Sequence, residues 1–240
     1  MSESSRDDAD RSRRARRPEQ LKLFPIGGLV MFPSLLQGLH VFEPRYRALV
    51  RDALESDLMF ALPIPLTVPS PTGKPPLAKI ACAVRIVRHE RFPDGRYDLS
   101  VVGVGRVELL EELDEIDGYR NARVRWLDGP DSSDPVETGW IRAELLAMFR
   151  ELLAQNGQEA DQAGAQIDQV ATLSMLADLV AYVVPFPLTW KLMLLHDLDP
   201  LRRARRLLQF HASLVKASNA LGDPATSPRT ERALPKFSLN

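Results

Sequence analysis

Over residues 21–127 the apolar positions recur mostly with a period of two. Ile80, Cys82, Val84 and Ile86 alternate with Ala81, Ala83, Arg85 and Val87, the pattern of a strand with one buried face. Phe92-Pro93-Asp94-Gly95 then supplies a turn, because Asp-Gly tolerates the positive φ that a hairpin needs. Tyr97, Leu99 and Val101 resume the alternation. Gly103 and Gly105 follow, and two glycines inside a strand pattern predict a bulge or sharp bend. Val107, Leu109 and Leu110 extend that strand, residues 119–126 offer another, and Met59, Ala61 and Pro63 belong to one more. A proline-rich loop spans residues 63–76. One helix interrupts the strands. Glu43-Pro44 reads as a strand-to-helix junction, since proline suits the first helical turn, where its missing N–H is not needed. Phe42 is expected as the last buried strand residue, and Tyr46, Leu49, Val50 and Leu54 as the apolar stripe of the helix. Short strands around one helix predict a small, bent, partly closed β-barrel.

After Asp134 the period becomes helical. Asp134-Pro135 is a start signal, an Asp cap before a proline at the first helical position. Ile141, Leu145, Met148, Phe149 and Leu152 share a face, and Gln155-Asn156-Gly157 stops the run. Ile167, Val170, Leu173, Leu176, Leu179, Val180 and Val183 mark a second helix, ended by Pro185 and Pro187. Thr189 caps a short third carrying Leu192, Leu195 and Leu198. Asp199-Pro200 starts a fourth, with Leu201, Ala204, Leu207, Leu208 and Leu214 inward. Four amphipathic helices with short joints predict a bundle. The expected division is a disordered polar tail over 1–20, the barrel over 21–130, the bundle over 134–220 and a loop-like tail over 221–240.

Composition narrows the chemistry. The 240 residues carry a formal net charge of -1, which argues against a protein held to nucleic acid by phosphate contacts. Cys82 is the single cysteine, so an internal disulfide and a cysteine-built zinc site are excluded. In its alternating strand it reads as a small core residue. His40, His89, His196 and His211 lack the spacing that holds zinc. No apolar run approaches the roughly 20 residues of a membrane-spanning helix, and no secretory leader is evident, so a cytoplasmic location is expected. Arg11, Arg13, Arg14, Arg16 and Arg17 are interleaved with acids and read as a solvated tail.

The order of the short motifs resembles one family. Leu23-Phe24-Pro25, then Phe32-Pro33, then Phe42-Glu43-Pro44-Arg45-Tyr46-Arg47 is similar to the amino-terminal, substrate-binding domain of Lon proteases. Residues 80–86, the Pro93-Asp94-Gly95 turn and Val104-Gly105-Arg106-Val107 resemble the strand and hairpin that follow in the family. Leu176-Ala177-Asp178-Leu179-Val180-Ala181 and residues 192–206 resemble its helical part. Cys82-Ala83 and Gln37-Gly38-Leu39-His40 depart from the usual pattern. The resemblance implies an α+β fold: a PUA-like bent β pseudo-barrel with one inserted helix, followed by a carboxy-terminal helical bundle. It also implies a stand-alone member without ATPase or protease domains. Gly73-Lys74 is followed by Pro75, and Val68 stands where the first glycine of a phosphate loop belongs, so these residues form no such loop.

With no catalytic residues, no cofactor and no metal assigned, binding is the expected activity. The resemblance implies unfolded or damaged polypeptide as the partner, with a protease or chaperone as a further one, and no nucleic acid or membrane. The role that follows is an adaptor or quality-control factor. The alternatives are a PUA-like nucleic-acid-binding protein and a small-molecule enzyme with a barrel–bundle cleft. Phe32, Leu35 and Leu36, with Leu66 and Val68 on the proline-rich loop, are the candidate polypeptide-binding residues. The other reading of these five is that they cover an end of the barrel. Arg202, Arg203, Arg205 and Arg206 give the last helix a basic side, which is either solvated or meets an acidic partner. Arg45 is expected to tie its helix to the barrel.

Overall fold

The computed structural model of the chain describes residues 17–68, 70, 73–130, 135–155 and 172–221. The Asp134 cap, the Asn156-Gly157 stop, Ile167, Val170, most of the amino-terminal tail and the tail beyond Leu221 lie outside those residues.

Among the described residues six strands form one sheet: β1 (Gln20–Leu23), β2 (Leu36–Val41), β3 (Met59–Leu62), β4 (Ile80–Arg91), β5 (Tyr97–Ile116) and β6 (Tyr119–Leu127). Their order is β2-β5-β4-β3-β1-β6, and β6 also pairs with β5. The last pairing closes β5-β4-β3-β1-β6 into a ring and leaves β2 outside it on the first part of β5. Only β1 and β3 run parallel. The predicted irregularity is present. Gly103 pairs with Val84 and Gly105 with Ala83, so Val104 is the extra residue of a bulge. A Cβ on Gly103 would sit 2.2 Å from the Phe32 carbonyl oxygen, and one on Gly105 3.0 Å from the Trp126 ring. The turn also forms as expected, with Gly95 at φ +86° and the Phe92 N–H donating to the Arg96 carbonyl at 2.9 Å.

Leu21, Leu23, Met59, Ala61, Ala81, Ala83, Val107, Ala122 and Val124 form one buried cluster. Four alanines among them reflect the narrow bore of a five-stranded ring. The expectation of a single buried face on β4 needs correction, because Cys82 and Val84 are as buried as Ala81 and Ala83. Closure buries one face. A helix, α4 (Leu188–His196), packs against β4, and the Arg106 Nε–H donates to the Leu195 carbonyl at 2.8 Å.

Helix α1 (Pro44–Leu54) starts as predicted, with Glu43 as N-cap and Pro44 in the first turn. Its buried stripe is Tyr46, Leu49, Val50 and Ala53, so Ala53 completes the i, i+3, i+4, i+7 face in place of Leu54. Phe42 is not the last buried strand residue. Val41 points inward at 1% exposure, so the alternation turns Phe42 outward at 62%, with its ring stacked on His40 at 6.2 Å.

Helices α2 (Pro135–Gln155), α3 (Leu173–Val183) and α5 (Pro200–Leu221) form the second compact unit. The third of the four predicted helices, α4, groups instead with the barrel. Thr172 caps α3, its Oγ1 accepting the Met175 N–H, and Asp199 caps α5 by accepting from the N–H groups of Leu201 and Arg202. The arginines of α5 all pair with carboxylates, Arg203 in the interior and Arg202 and Arg205 more than half exposed. Arg203 is buried with its Nε 3.1 Å from buried Asp178, and it also donates to the Asp197 carbonyl and Ser174. Arg202 and Arg206 both pair with the Asp197 carboxylate, and Arg205 pairs with Glu137.

Two kinds of expected outcome follow, the first from glycine substitution. Gly103→Ala should lower stability in urea denaturation by about 2–4 kcal/mol, because backbone rather than a flexible side chain blocks the added methyl. Gly139→Ala, in an exposed helix position with nothing within 4 Å, should instead raise it by roughly 0.5–1 kcal/mol. The second outcome concerns acid. Burial pushes the Asp197 carboxyl up, but the hydrogen bonds from Arg202 and the Asp199 N–H, with the Arg206 charge, hold it below its ordinary value. A carboxyl with a lowered folded pKa stabilises fully above the unfolded value of about 3.9 and loses that contribution as pH falls through the folded value. Asp197→Asn should therefore lower the urea midpoint at neutral pH and make it fall less steeply below about pH 4. A variant with an unchanged acid slope would contradict this account.

Candidate functional site

Residues 63–68 leave β3, and residues 73–78 return beside them towards β4. The Leu66 N–H donates to the Pro76 carbonyl at 2.8 Å, and the Ala78 N–H to the Ile64 carbonyl at 2.9 Å. Pairing at the base carries Leu66 and Val68 away from the ring. Val68 is 53% exposed and Leu66 is half-buried. With Gly27, Gly28, Pro65 and Leu188 they line an open depression of about 550 Å³. Gly28, at φ +81° with open space around it, keeps the floor free of a side chain.

A second cleft of about 220 Å³ adjoins the first and shares Pro65, Lys74 and Pro75 with it. Tyr46 and Tyr119 form its aromatic walls, Pro25 adds apolar surface, and Arg45, Lys74, Arg120 and Glu115 bring charge. The Tyr46 ring lies between Phe24, at 4.1 Å, and the Arg45 guanidinium, at 4.5 Å. Burial pushes the Tyr46 phenol up, opposed by Arg45 and Arg120 and assisted by Glu43. Burial and a 2.7 Å hydrogen bond to Asp52 push the Tyr119 phenol further up. Arg120 is held by Glu112 and by the Pro75 carbonyl. Arg45 bonds Glu43 at 2.8 Å, its own helix N-cap, rather than the barrel. The tie to the barrel comes from Arg47, which donates to the Asp94 carbonyl in the β4–β5 turn at 2.9 Å.

The five sequence candidates divide. Phe32 is fully buried and leaves the candidate surface, because its carbonyl abuts Gly103 and its segment packs against the bend of β5. Leu35 is half-buried, and its carbonyl accepts the Gly103 N–H. Leu36 is 56% exposed at the start of β2. Neither lines either cleft. Leu66 and Val68 do converge, and Leu188 joins them from α4. Sequence reasoning missed Leu188, Lys74, Tyr119 and Arg120. The single available signal was the Arg45-Tyr46 pair at a helix start. Cys82 is buried, and among the described residues no cluster of histidine, cysteine and carboxylates is arranged to hold a metal. No described helix is long and apolar enough to cross a membrane.

A closed small barrel carrying one inserted helix and followed by a helical unit defines the class of the fold. Residues 20–212 match the family of ATP-dependent protease La (LON) substrate-binding domains, and the chain belongs to it. Relatives include Lon protease 2 of Myxococcus xanthus, 25% identical over 208 residues, which are 85% of this chain and 25% of that protein. The Lon protease of Roseiflexus castenholzii is 28% identical over 194 residues, 80% of this chain and 24% of that protein. The chain spans about a quarter of the length of these relatives. Among solved structures, a Lon N-terminal domain protein from Xanthomonas campestris superposes with a TM-score of 0.58 at 26% identity, covering 79% of this chain and 97% of that one. The N-terminal domain of a Mycobacterium avium complex Lon protease shares the fold at 17% identity with a TM-score of 0.63, covering 80% and 98%.

Both cleft tyrosines should ionise above the ordinary value of about 10 in an ultraviolet titration, and Tyr119→Phe should remove a late component. A folded pKa above the unfolded one stabilises fully below about pH 10, and the contribution is lost as pH rises towards the folded value. Stability in that alkaline range should accordingly fall less in Tyr119→Phe than in the unaltered chain.

Proposed function

We propose that this chain is a non-enzymatic polypeptide-binding protein that holds exposed apolar segments of unfolded chains in the depression around Leu66, Val68 and Leu188. The carrying observation is that Leu66 and Val68 from one loop and Leu188 from α4, the last two 53% and 40% exposed, line one open hollow that also includes three glycines. Isolated exposed apolar residues need no explanation, whereas convergent ones bordering a groove fit a binding surface. The family's description as a substrate-binding domain supports this reading. Acting as an adaptor or quality-control factor, the protein would mask or deliver unfolded chains without hydrolysing ATP. The free edge of β2, paired only with β5 among the described residues, is a second surface suited to extended backbone.

The test is binding to a permanently unfolded polypeptide such as reduced, carboxymethylated lactalbumin, followed by fluorescence anisotropy. Val68→Asp should weaken binding about tenfold while leaving the unfolding midpoint unchanged, because Val68 is exposed. Absence of binding by the unaltered chain, or equal binding by the variant, would refute the assignment.

A further inference from the structure

We propose that the Tyr46–Tyr119 cleft takes the free carboxylate of a polypeptide's carboxy-terminal residue, with an apolar side chain of that residue against the tyrosine and proline walls. This rests on the polypeptide-binding reading above and assigns a chemical end to the bound chain.

The first support is a phenol hydroxyl open to the cleft. Tyr46 is 6% exposed as a residue and lines the cleft, and its hydroxyl has no protein hydrogen-bond partner among the described residues and is not sealed from solvent. Such a hydroxyl can donate to a ligand's acceptor. The adjoining charges indicate which partner. Lys74 gives one donor to Glu115, which leaves two of the ammonium's three. Arg45 commits Nε and Nη2 to Glu43, which leaves Nη1. Arg120 is engaged by Glu112 and Pro75 but adds its charge to the lining. Three cations and one acid thus border the cleft, and the spare groups are donors. A carboxylate accepts from a phenol, an ammonium and a guanidinium together, and such charge-assisted bonds are the strong ones. A cationic or donor-only group could bond the Tyr46 oxygen but would leave the spare cation donors unmatched and would meet like charge.

The size and the walls narrow the source of that carboxylate. About 220 Å³ is below the roughly 300–1,000 Å³ of sites for drug-sized ligands, so the cleft suits one residue. Pro25, Pro65, Pro75 and the tyrosine rings favour an apolar side chain beside the charge. The shared border at Pro65, Lys74 and Pro75 opens onto the apolar depression, which gives the preceding residues a path on one side. A second depression borders the cleft at Lys74, Glu115 and Arg120, but it carries Glu112, Asp114 and Glu115, so the apolar side is the better path. A chain terminus needs one path where an internal aspartate or glutamate needs two.

The test uses the full chain and three fluorescein-labelled versions of a short glycine–serine peptide. One ends in leucine with a free carboxylate, one in leucine carboxamide, and one is a carboxamide with an internal glutamate. The free-acid peptide should bind about tenfold more tightly than either carboxamide. Tyr46→Phe, which keeps the ring in the core, and Lys74→Gln, at a site 56% exposed, should each shrink that ratio several-fold with unfolding midpoints retained. Equal binding of the acid and carboxamide peptides overturns the carboxylate assignment. Equal binding of the free-acid and internal-glutamate peptides overturns the terminus. If unfolded lactalbumin binds and no peptide does, the cleft assignment falls and the polypeptide-binding reading stands. If lactalbumin fails as well, both fall.

Discussion

The bend in β5 is the constraint on which the barrel depends. A twenty-residue strand can pair with β2, β4 and β6 only if it turns between partners, and the turn occurs where Gly103 and Gly105 flank the bulged Val104. At Gly103 the backbone of Phe32 occupies the space a side chain would need, and at Gly105 the Trp126 ring lies over the strand. The Trp126 indole in turn donates to the Pro18 carbonyl at 2.9 Å, and Arg17 lies over its ring, so the entry of the chain into β1 is fastened to the same place. Bulge, ring closure and the path of the first strand are one mechanical unit.

The narrow ring is filled by alanines and medium aliphatic side chains, and both clefts of the candidate site, lined by described residues, lie outside it. The described residues between β3 and β4, the start of α1 and the β5–β6 turn converge outside the ring, and their side chains supply apolar surface and charge side by side. The electrostatics are local. Each cation of the cleft is paired with a carboxylate, and the chain as a whole is near neutral. Recognition built this way depends on where individual donors point rather than on a long-range field.

The helical unit is organised by buried charge as much as by leucine packing. Asp178 and Arg203 are almost fully buried, and Asp197 receives Arg202 and Arg206 from the first turns of α5. Removing one member of such a buried pair strands the other, which costs about 3–5 kcal/mol, so the arrangement specifies one register of α3 against α5. Of the basic helix side visible in the sequence, Arg203 is buried against Asp178, whereas Arg202, Arg205 and Arg206 pair with carboxylates while staying open to solvent.

Periodicity and punctuation in the chain determined the element types, the Asp94-Gly95 turn, the bulge at Gly103 and Gly105, the Pro44 helix start and the Asp199 cap. Each of these depends on residues within a few positions of one another, which is the range over which backbone preference acts. Motif order was enough to define the family. The second buried face of β4, the outward turn of Phe42, the burial of Phe32 and the grouping of α4 with the barrel were decided by the tertiary structure. These depend on what covers a surface, and covering residues come from far along the chain. The cleft is the extreme case: Tyr46, Lys74 and Arg120 have nothing in common in sequence, and only closure of the sheet brings an unpaired hydroxyl and two cations to the same opening.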